Sequence, residues 1–121
     1  MASLATPGAN ALLDGTALPA TLYAQLHTGN PGTNGTANVA TVTTRQSFTR
    51  TAAAGGVSEN ASLIEWSNYP TSETLSHVSI WSLAVGGVCW FIGNPADVTP
   101  AIGDNVQIAA GALDLVCPLW T

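Results

Sequence analysis

The chain has 121 residues, which is enough for one domain with a single core, and we predict one domain spanning 1–121. Only 7% of the residues are charged, lysine is absent, and the formal net charge is −5. This composition excludes a basic nucleic-acid-binding surface, because affinity for phosphate backbones depends on clustered lysine and arginine. The neutral polar residues that replace charged ones cost little to desolvate, which suits permanent contact with neighbouring proteins.

Neither a membrane span nor an export signal is expected. The longest apolar stretch, Ile80 to Ile92, is interrupted by Ser82, Gly86 and Gly87, so it cannot form the helix of about 20 apolar residues that crosses a bilayer. The first residues also lack the basic region of a secretory signal. We therefore expect a protein that stays in the cytosol of the cell that makes it and has no membrane partner.

The first predicted element is a short N-terminal helix over about 6–14. Thr6 is suited to the N-cap, Pro7 to the first helical position and Gly15 to the C-cap. The next element, Thr21 to His27, alternates strictly and predicts a half-buried strand. Its inward face is expected to carry Leu22, Ala24 and Leu26.

Turn-forming residues dominate the stretch from Thr28 to Ala37, which predicts an exposed loop. Val42 to Thr51 is rich in threonine and predicts a second strand that carries both arginines. From Val57 to Trp66 we expect paired extended segments, in which Leu63 faces away from Ile64.

The clearest local signal is Gly86-Gly87 between two β-rich runs, which fits a hairpin with a two-residue turn. That turn places Val85 opposite Val88 and Trp81 opposite Ile92. Both faces of such a ribbon are apolar, so both need cover from the chain's own second sheet and from another element or chain.

Two further strands are predicted near the C-terminus, Val106 to Ala109 and Leu113 to Val116. The total is seven or eight short antiparallel strands with turns about every ten residues. The predicted fold class is therefore all-β, a single-domain β-sandwich or small barrel with a short N-terminal helix.

No residue pattern predicts an enzyme, a cofactor or a metal site. His27 and His77 lie in no catalytic motif, and we interpret both as solvated or hydrogen-bonded strand residues. The carboxylates that could act as a glycosidase pair, Glu59, Glu65 and Glu73, flank turns and are explained by solvation.

The two cysteines, Cys89 and Cys117, are expected to be buried free thiols, with a disulfide between them as the alternative. Two cysteines without a neighbouring histidine are too few to hold a metal ion. We accordingly predict a non-enzymatic protein.

Aromatic residues provide the strongest hint of an interface, because they are enriched both in cores and at binding hot spots. For Trp81 and Trp90 we predict a core position. Trp120 is predicted at an interface, since a terminal aromatic residue rarely has enough chain around it to be buried. The candidate interface residues are Trp120, Trp66, Tyr69, Leu119, Asn30 and Pro31.

The segment Leu22 to Gly32, which reads LYAQLHTGNPG, resembles the opening of a family of small virion proteins of tailed bacteriophages, actinobacteriophages and relatives among them. The family is labelled tail-fibre-like, minor tail or capsid decoration proteins. The resemblance covers about Leu4 to Val116, although Glu59 stands where a neutral residue is expected and Cys117 to Thr121 has no counterpart. Further matching features are Arg45, Gly55 to Asn60, Trp66, His77 to Trp81, Gly103 to Val106, and Ala109 to Leu113.

The resemblance implies a virion structural protein assembled in the host cytoplasm. Our first hypothesis is a capsid decoration protein that binds the major capsid protein lattice, as a homo-oligomer for which a trimer is favoured. The alternative is a minor tail or tail-fibre-associated protein, whose host-contacting surface would be the 28–37 loop. A third class, a carbohydrate-binding module, would use Trp66 or Tyr69 as its stacking platform.

Overall fold

The structure is a computed structural model that describes residues 19–116. The predicted N-terminal helix and the candidate interface residues Leu119 and Trp120 lie outside the described residues, as does Cys117. The described part contains no helix and eight strands, all paired antiparallel, which confirms the all-β prediction. The strands are β1 Thr21–His27, β2 Gln46–Thr49, β3 Val57–Glu59, β4 Ile64–Trp66, β5 His77–Trp81, β6 Cys89–Gly93, β7 Val106–Ile108 and β8 Asp114–Val116.

The largest sheet has four strands in the order β2-β1-β5-β6, and two ribbons, β3-β8 and β4-β7, complete the fold. The central strand β1 pairs with β2 from Thr21 to Ala24 and with β5 from Tyr23 to His27. The inward face of β1 is confirmed, because Leu22, Ala24 and Leu26 are buried. The strand is not half-buried as predicted, since Gln25 and His27 on its other face are buried as well.

One hydrophobic cluster joins the four-stranded sheet to both ribbons. Sheet residues such as Leu22 and Ile80 share it with Ile64 and Trp66 of β4 and Leu115 of β8. Burying apolar side chains from both layers contributes the main favourable free energy of folding. The predicted opposition of Leu63 and Ile64 at the start of β4 is confirmed, because Ile64 is buried and Leu63 is exposed.

The predicted two-residue hairpin turn is wrong. Strand β5 ends at Trp81, β6 begins at Cys89, and the chain between them forms a loop over 82–88. Ile80 pairs with Phe91 and Trp81 with Cys89, so Trp90 is an extra, bulged residue. The glycines do adopt positive φ, 69° at Gly86 and 78° at Gly87, but within a wider loop. The register inferred from a tight turn therefore fails.

Two other strand predictions need correction. The strand expected over Val42 to Thr51 is confined to β2, Gln46–Thr49, so Arg45 and Arg50 flank it and are not within it as predicted. The extended segments between Val57 and Trp66 pair with the C-terminal strands β8 and β7 and not with each other. The physical reason is the buried Asn60, whose side chain bonds the backbones of Ser62, Ala109 and Leu113 and diverts the chain between the two segments.

Candidate interaction surface

The tip of the β5-β6 hairpin and the strand that follows it expose a group of large apolar side chains, which we call the hairpin surface. Val85 is the most exposed of them, at 87% of its accessible area. Single exposed apolar residues are common, but a cluster on one element indicates a binding surface. The hairpin surface consists of Leu83, Val85, Val88, Trp90 and Ile92.

A single arginine holds the backbone of the hairpin tip. Nη1 of Arg45 donates to the carbonyls of Leu83 and Gly86 at 2.8 and 2.7 Å. Its guanidinium carbon lies 4.0 Å from the centroid of the Trp81 ring, and Nε donates to Gln25 at 3.2 Å. The planar guanidinium can stack and bond two carbonyls at once, which an ammonium group does less well. The tip is therefore preorganised in the free chain.

The base of the same loop is closed by two hydrogen bonds between Ser82 and Val88. The Ser82 amide donates to the Val88 carbonyl at 3.0 Å, and the Val88 amide donates to Ser82 Oγ at 2.9 Å. A side chain at Gly87 would lie 2.6 Å from Ser82 Oγ and would need a positive φ, so only glycine fits there. The loop thus presents Val85 outward on an ordered backbone.

Charge is distributed unevenly around this surface. No residue from 74 to 96 is charged, and the four strands of the large sheet contain no carboxylate. Within residues 19–116, every carboxylate lies on the ribbons or in the loops. These residues are Glu59, Glu65, Glu73, Asp97, Asp104 and Asp114.

The sheet face behind the hairpin carries a buried chain of hydrogen bonds. Trp81 Nε1 donates to Ser79 Oγ at 2.7 Å, and Ser79 Oγ lies 2.7 Å from His27 Nε2. His27 Nδ1 lies 2.9 Å from the Ala37 carbonyl, which can only accept, so Nδ1 carries the proton and Nε2 accepts from Ser79. Burial lowers the pKa of His27, which keeps the ring neutral in this arrangement.

This chain of bonds attaches the 28–38 loop to the sheet. Pro31 and Gly35 are buried, whereas most of the other loop residues are exposed. A side chain at Gly35 would lie 2.6 Å from Cys89 Sγ, so the loop backbone contacts the sheet directly. The prediction of an exposed loop therefore holds for its tip residues and is wrong for Pro31 and Gly35.

A second cluster of hydrogen bonds is centred on the Glu73 carboxylate. Glu73 accepts hydrogen bonds from the Tyr69 hydroxyl at 2.5 Å and from both the amide and hydroxyl of Thr41 at 2.9 and 3.0 Å. Burial on its own would raise the pKa of Glu73, but these hydrogen bonds lower it on balance. Burial and the Glu73 carboxylate raise the pKa of Tyr69. Glu73 thus joins the Thr41 segment to the Tyr69 segment.

An apolar cavity of about 210 Å³ lies between β5 and β7. Its polar lining is limited to His77 and Gln107 among many aliphatic side chains, so it contains no arrangement of acid, base and nucleophile. Across residues 19–116, no cluster of His, Cys, Asp or Glu is suited to a metal ion. The same stretch has no helix that is long and apolar enough to cross a membrane.

The structure places the predicted interface residues in different environments. Trp66 is 2% exposed and donates from Nε1 to the Thr44 carbonyl, and Tyr69 is fully buried. Neither ring is accessible as a stacking platform for a glycan. Pro31 is buried as well, and only Asn30 of the described candidates is exposed.

Of the two tryptophans that were predicted in the core, one is buried and the other is partly exposed. Trp81 is buried as predicted, but Trp90 is 37% exposed because the bulge removes it from the expected register. Cys89 is a half-buried free thiol within the described residues, and burial raises its pKa. Sequence reasoning missed Leu83, Val85 and Val88 as surface residues, although the absence of charge from 74 to 96 was a usable signal.

Comparison with known proteins gives one family. A family model described as Podophage GP4 fiber I protein gp80 matches residues 2–116. The match spans nearly the whole chain and agrees with the resemblance to tail-fibre-like virion proteins. No curated protein matches the sequence.

Proposed function

Because the chain belongs to the Podophage GP4 fiber I protein gp80 family, we propose that it is a structural subunit of a phage tail fibre or of the tail region that carries one. The protein is a fibre-type virion protein, and the tail position is the finer step that we propose. The family match over residues 2–116 is the observation that carries the proposal.

The match favours the tail-fibre alternative over the first hypothesis of capsid decoration. A fibre protein acts by binding other virion proteins, and the hairpin surface is suited to that role because it is apolar and preorganised. We propose that the role is non-enzymatic and that the partners are tail proteins and other copies of the chain. The major capsid protein as partner and the trimeric state stay predictions.

Localisation on the particle tests the proposal. Virions carrying an epitope-tagged copy are labelled with gold-conjugated antibody and imaged by electron microscopy, while quantitative mass spectrometry counts copies per particle. We expect label on the tail and a copy number that matches the fibres. Label spread over the head, with hundreds of copies per particle, would establish capsid decoration instead.

A further inference from the structure

We propose that the 28–38 loop is an acid-released cover over one face of the large sheet. When His27 takes up a proton, the loop detaches from this face and exposes side chains beneath it, Trp81 and Cys89 among them. The inference goes beyond the proposed function and does not depend on the position of the protein in the virion.

The loop covers a sheet face that would otherwise meet solvent. The apolar residues of β1 that belong to the hydrophobic cluster alternate with Gln25 and His27, which therefore lie on the opposite face. The register with β5 places Ser79 and Trp81 on that face as well. None of these four residues is more than 7% exposed. The backbone of the 28–38 loop packs directly on Trp81 and thus supplies part of the cover.

One side chain of the sheet holds the middle of the loop by hydrogen bonding. Among the hydrogen bonds of residues 19–116, the bond from His27 Nδ1 to the Ala37 carbonyl is the one that joins residues 29–37 to a strand. The other hydrogen bonds of this stretch stay within the loop. The two ends of the loop are joined by the bond from the Thr28 amide to the Asn38 carbonyl. Between its paired ends, the loop is therefore fastened through a single titratable ring.

Protonation of His27 disrupts the donor and acceptor roles beneath the loop. In the neutral ring, Nε2 accepts from the Ser79 hydroxyl, and Ser79 Oγ accepts from Trp81 Nε1. In the charged ring Nε2 also carries a hydrogen, so the hydroxyl hydrogen of Ser79 loses this acceptor although the residue is fully buried. Both the hydroxyl and the charged ring become hydrated when the loop moves away.

No neighbouring group offsets the positive charge of the ring. His77 faces His27 from β5, Arg45 approaches from the segment before β2, and both disfavour the charged form. Cys89 of β6 keeps an uncharged thiol, because burial raises its pKa. The 28–38 loop contains no titratable residue, and the four strands of the large sheet contain no carboxylate. Burial outweighs the attraction of the loop carbonyls for a charged ring, so the pKa of His27 is lowered while the loop is closed.

The balance between the closed and the open loop therefore depends on pH. Opening returns the His27 ring to solvent, where the pKa of histidine is about 6.5 and so lies above its value under the closed loop. As the pH falls below about 6.5, the open form is favoured by up to about tenfold for each pH unit between the two pKa values. Above that range the ring is neutral in both forms and the loop stays closed.

Thiol labelling of Cys89 in the full chain measures this opening, because its Sγ lies beneath the Gly35 backbone. The reagent is 4,4′-dithiodipyridine, which reacts with thiols in mild acid, and peptide mass spectrometry separates Cys89 from Cys117. Dividing the rate by that of a short peptide with the Cys89 sequence at the same pH removes the intrinsic pH dependence of the thiol. We expect this relative rate to rise by about fivefold or more between pH 7.5 and pH 5.0.

Histidine substitutions decide whether His27 controls the opening. His27→Asn keeps a polar side chain that does not titrate, so its relative rate should not change with pH. His27→Gln tests the same point if His27→Asn does not fold. His77→Gln is the matched control from the same strand pair, and it should retain most of the rise, because the charge of His77 is a smaller cause of the lowered pKa than burial.

Hydrogen exchange of core amides separates loop opening from global unfolding. The amides of Leu22 and Ala24, in the central strand β1 that pairs on both sides, should stay protected at pH 5.0 while Cys89 is labelled. The inference is overturned if the relative rate does not rise in the wild type, if it rises equally in His27→Asn, or if it rises only together with exchange of the core amides. Each of these results leaves the proposed function untouched, since none concerns the position in the virion.

Discussion

Two glycines in the same loop show how closely the 28–38 loop packs against the sheet. Gly32 and Gly35 both have positive φ, 77° and 74°, but only Gly35 has neighbours within contact distance of an added Cβ. Its backbone lies against Cys89 Sγ and the Trp81 ring. Alanine substitution at the two positions therefore separates the free-energy cost of backbone strain from that of overpacking.

We predict that Gly32→Ala lowers the free energy of unfolding by about 1 kcal/mol through backbone strain alone. Gly35→Ala should lower it by about 2–4 kcal/mol, because overpacking adds about 1–3 kcal/mol to the same strain. Urea denaturation of both variants measures the difference. Equal losses in the two variants would show that the loop does not press on the sheet.

The hydrogen bonds of His27 explain why β1 ends in a histidine, within the segment that resembles the phage family. Its ring connects Ser79, 52 residues away, to the loop carbonyl of Ala37 and must be neutral to do so. The sequence alone shows a histidine before a turn, and this long-range bond makes it a fully buried structural residue.

The pH dependence of stability follows from this neutral ring. The pKa of His27 in the folded chain is below the usual value of 6.5, so the unfolded chain binds the proton first as the pH falls. We expect the free energy of unfolding to fall as the pH drops below about 6.5, by about 1.4 kcal/mol for each pH unit between the two pKa values.

Chemical denaturation at pH 7.5, 6.5, 5.5 and 5.0 measures this loss, and the wild type is compared with His27→Asn. The variant should be less stable at pH 7.5 and should lack most of the decline between pH 6.5 and 5.5. His77→Gln is the control: its ring bonds the adjacent Ser76. Burial is the largest cause of the lowered pKa of His27, and the nearby charge of His77 is a smaller one, so this variant should retain most of the decline. If the free energy of unfolding still declines with pH in His27→Asn, the decline arises from other titrating groups.

At the level of elements, the β5-β6 connection depends on a residue from outside the hairpin. Arg45 precedes β2, and its guanidinium organises a loop that begins 37 residues later, at Ser82. Hairpin rules that consider only the turn sequence therefore give the wrong loop length and register. The tertiary contact stabilises a wide loop that the Gly-Gly pair does not specify.

Arg45→Lys tests this dependence while keeping the charge. Lysine lacks the planar guanidinium that stacks on Trp81 and donates from Nε to Gln25 while Nη1 bonds both carbonyls, so we expect the local opening free energy of the 82–88 loop to fall by about 1–2 kcal/mol, after allowing for the partial exposure of Arg45. Hydrogen exchange of that loop should then be about 5- to 30-fold faster. Arg50→Lys is the control, because Nε of Arg50 donates to the Pro19 carbonyl, and this variant should leave that exchange unchanged.

At the scale of the whole molecule, the fold separates a large sheet whose strands contain no carboxylate from the ribbons and loops, which carry every carboxylate of residues 19–116. A low overall charge content is visible in the sequence, but its arrangement depends on which strands share a sheet. The carboxylates keep the ribbon and loop surfaces hydrated, whereas the large sheet has no such groups on its strands.

The response of self-association to salt follows from this arrangement. If apolar side chains such as those of the hairpin surface form the contact between copies, the dissociation constant of the oligomer should not rise between 50 and 500 mM NaCl, and sulfate should lower it. An interface made of ion pairs would weaken over the same range, because salt screens exposed charges. Sedimentation equilibrium at the two NaCl concentrations distinguishes these outcomes.

The sequence by itself determined the all-β class, the inward face of β1 and the positions of the C-terminal strands, because alternation and turn residues act over a few neighbours. Only the tertiary structure decided the partners of β3 and β4, the burial of Trp66, Tyr69 and Pro31, and the exposure of Trp90. Those outcomes depend on contacts between distant residues, such as Arg45 with Leu83 and His27 with Ser79. Local patterns do not encode such contacts, because burial is a property of the packed layers and not of a single strand.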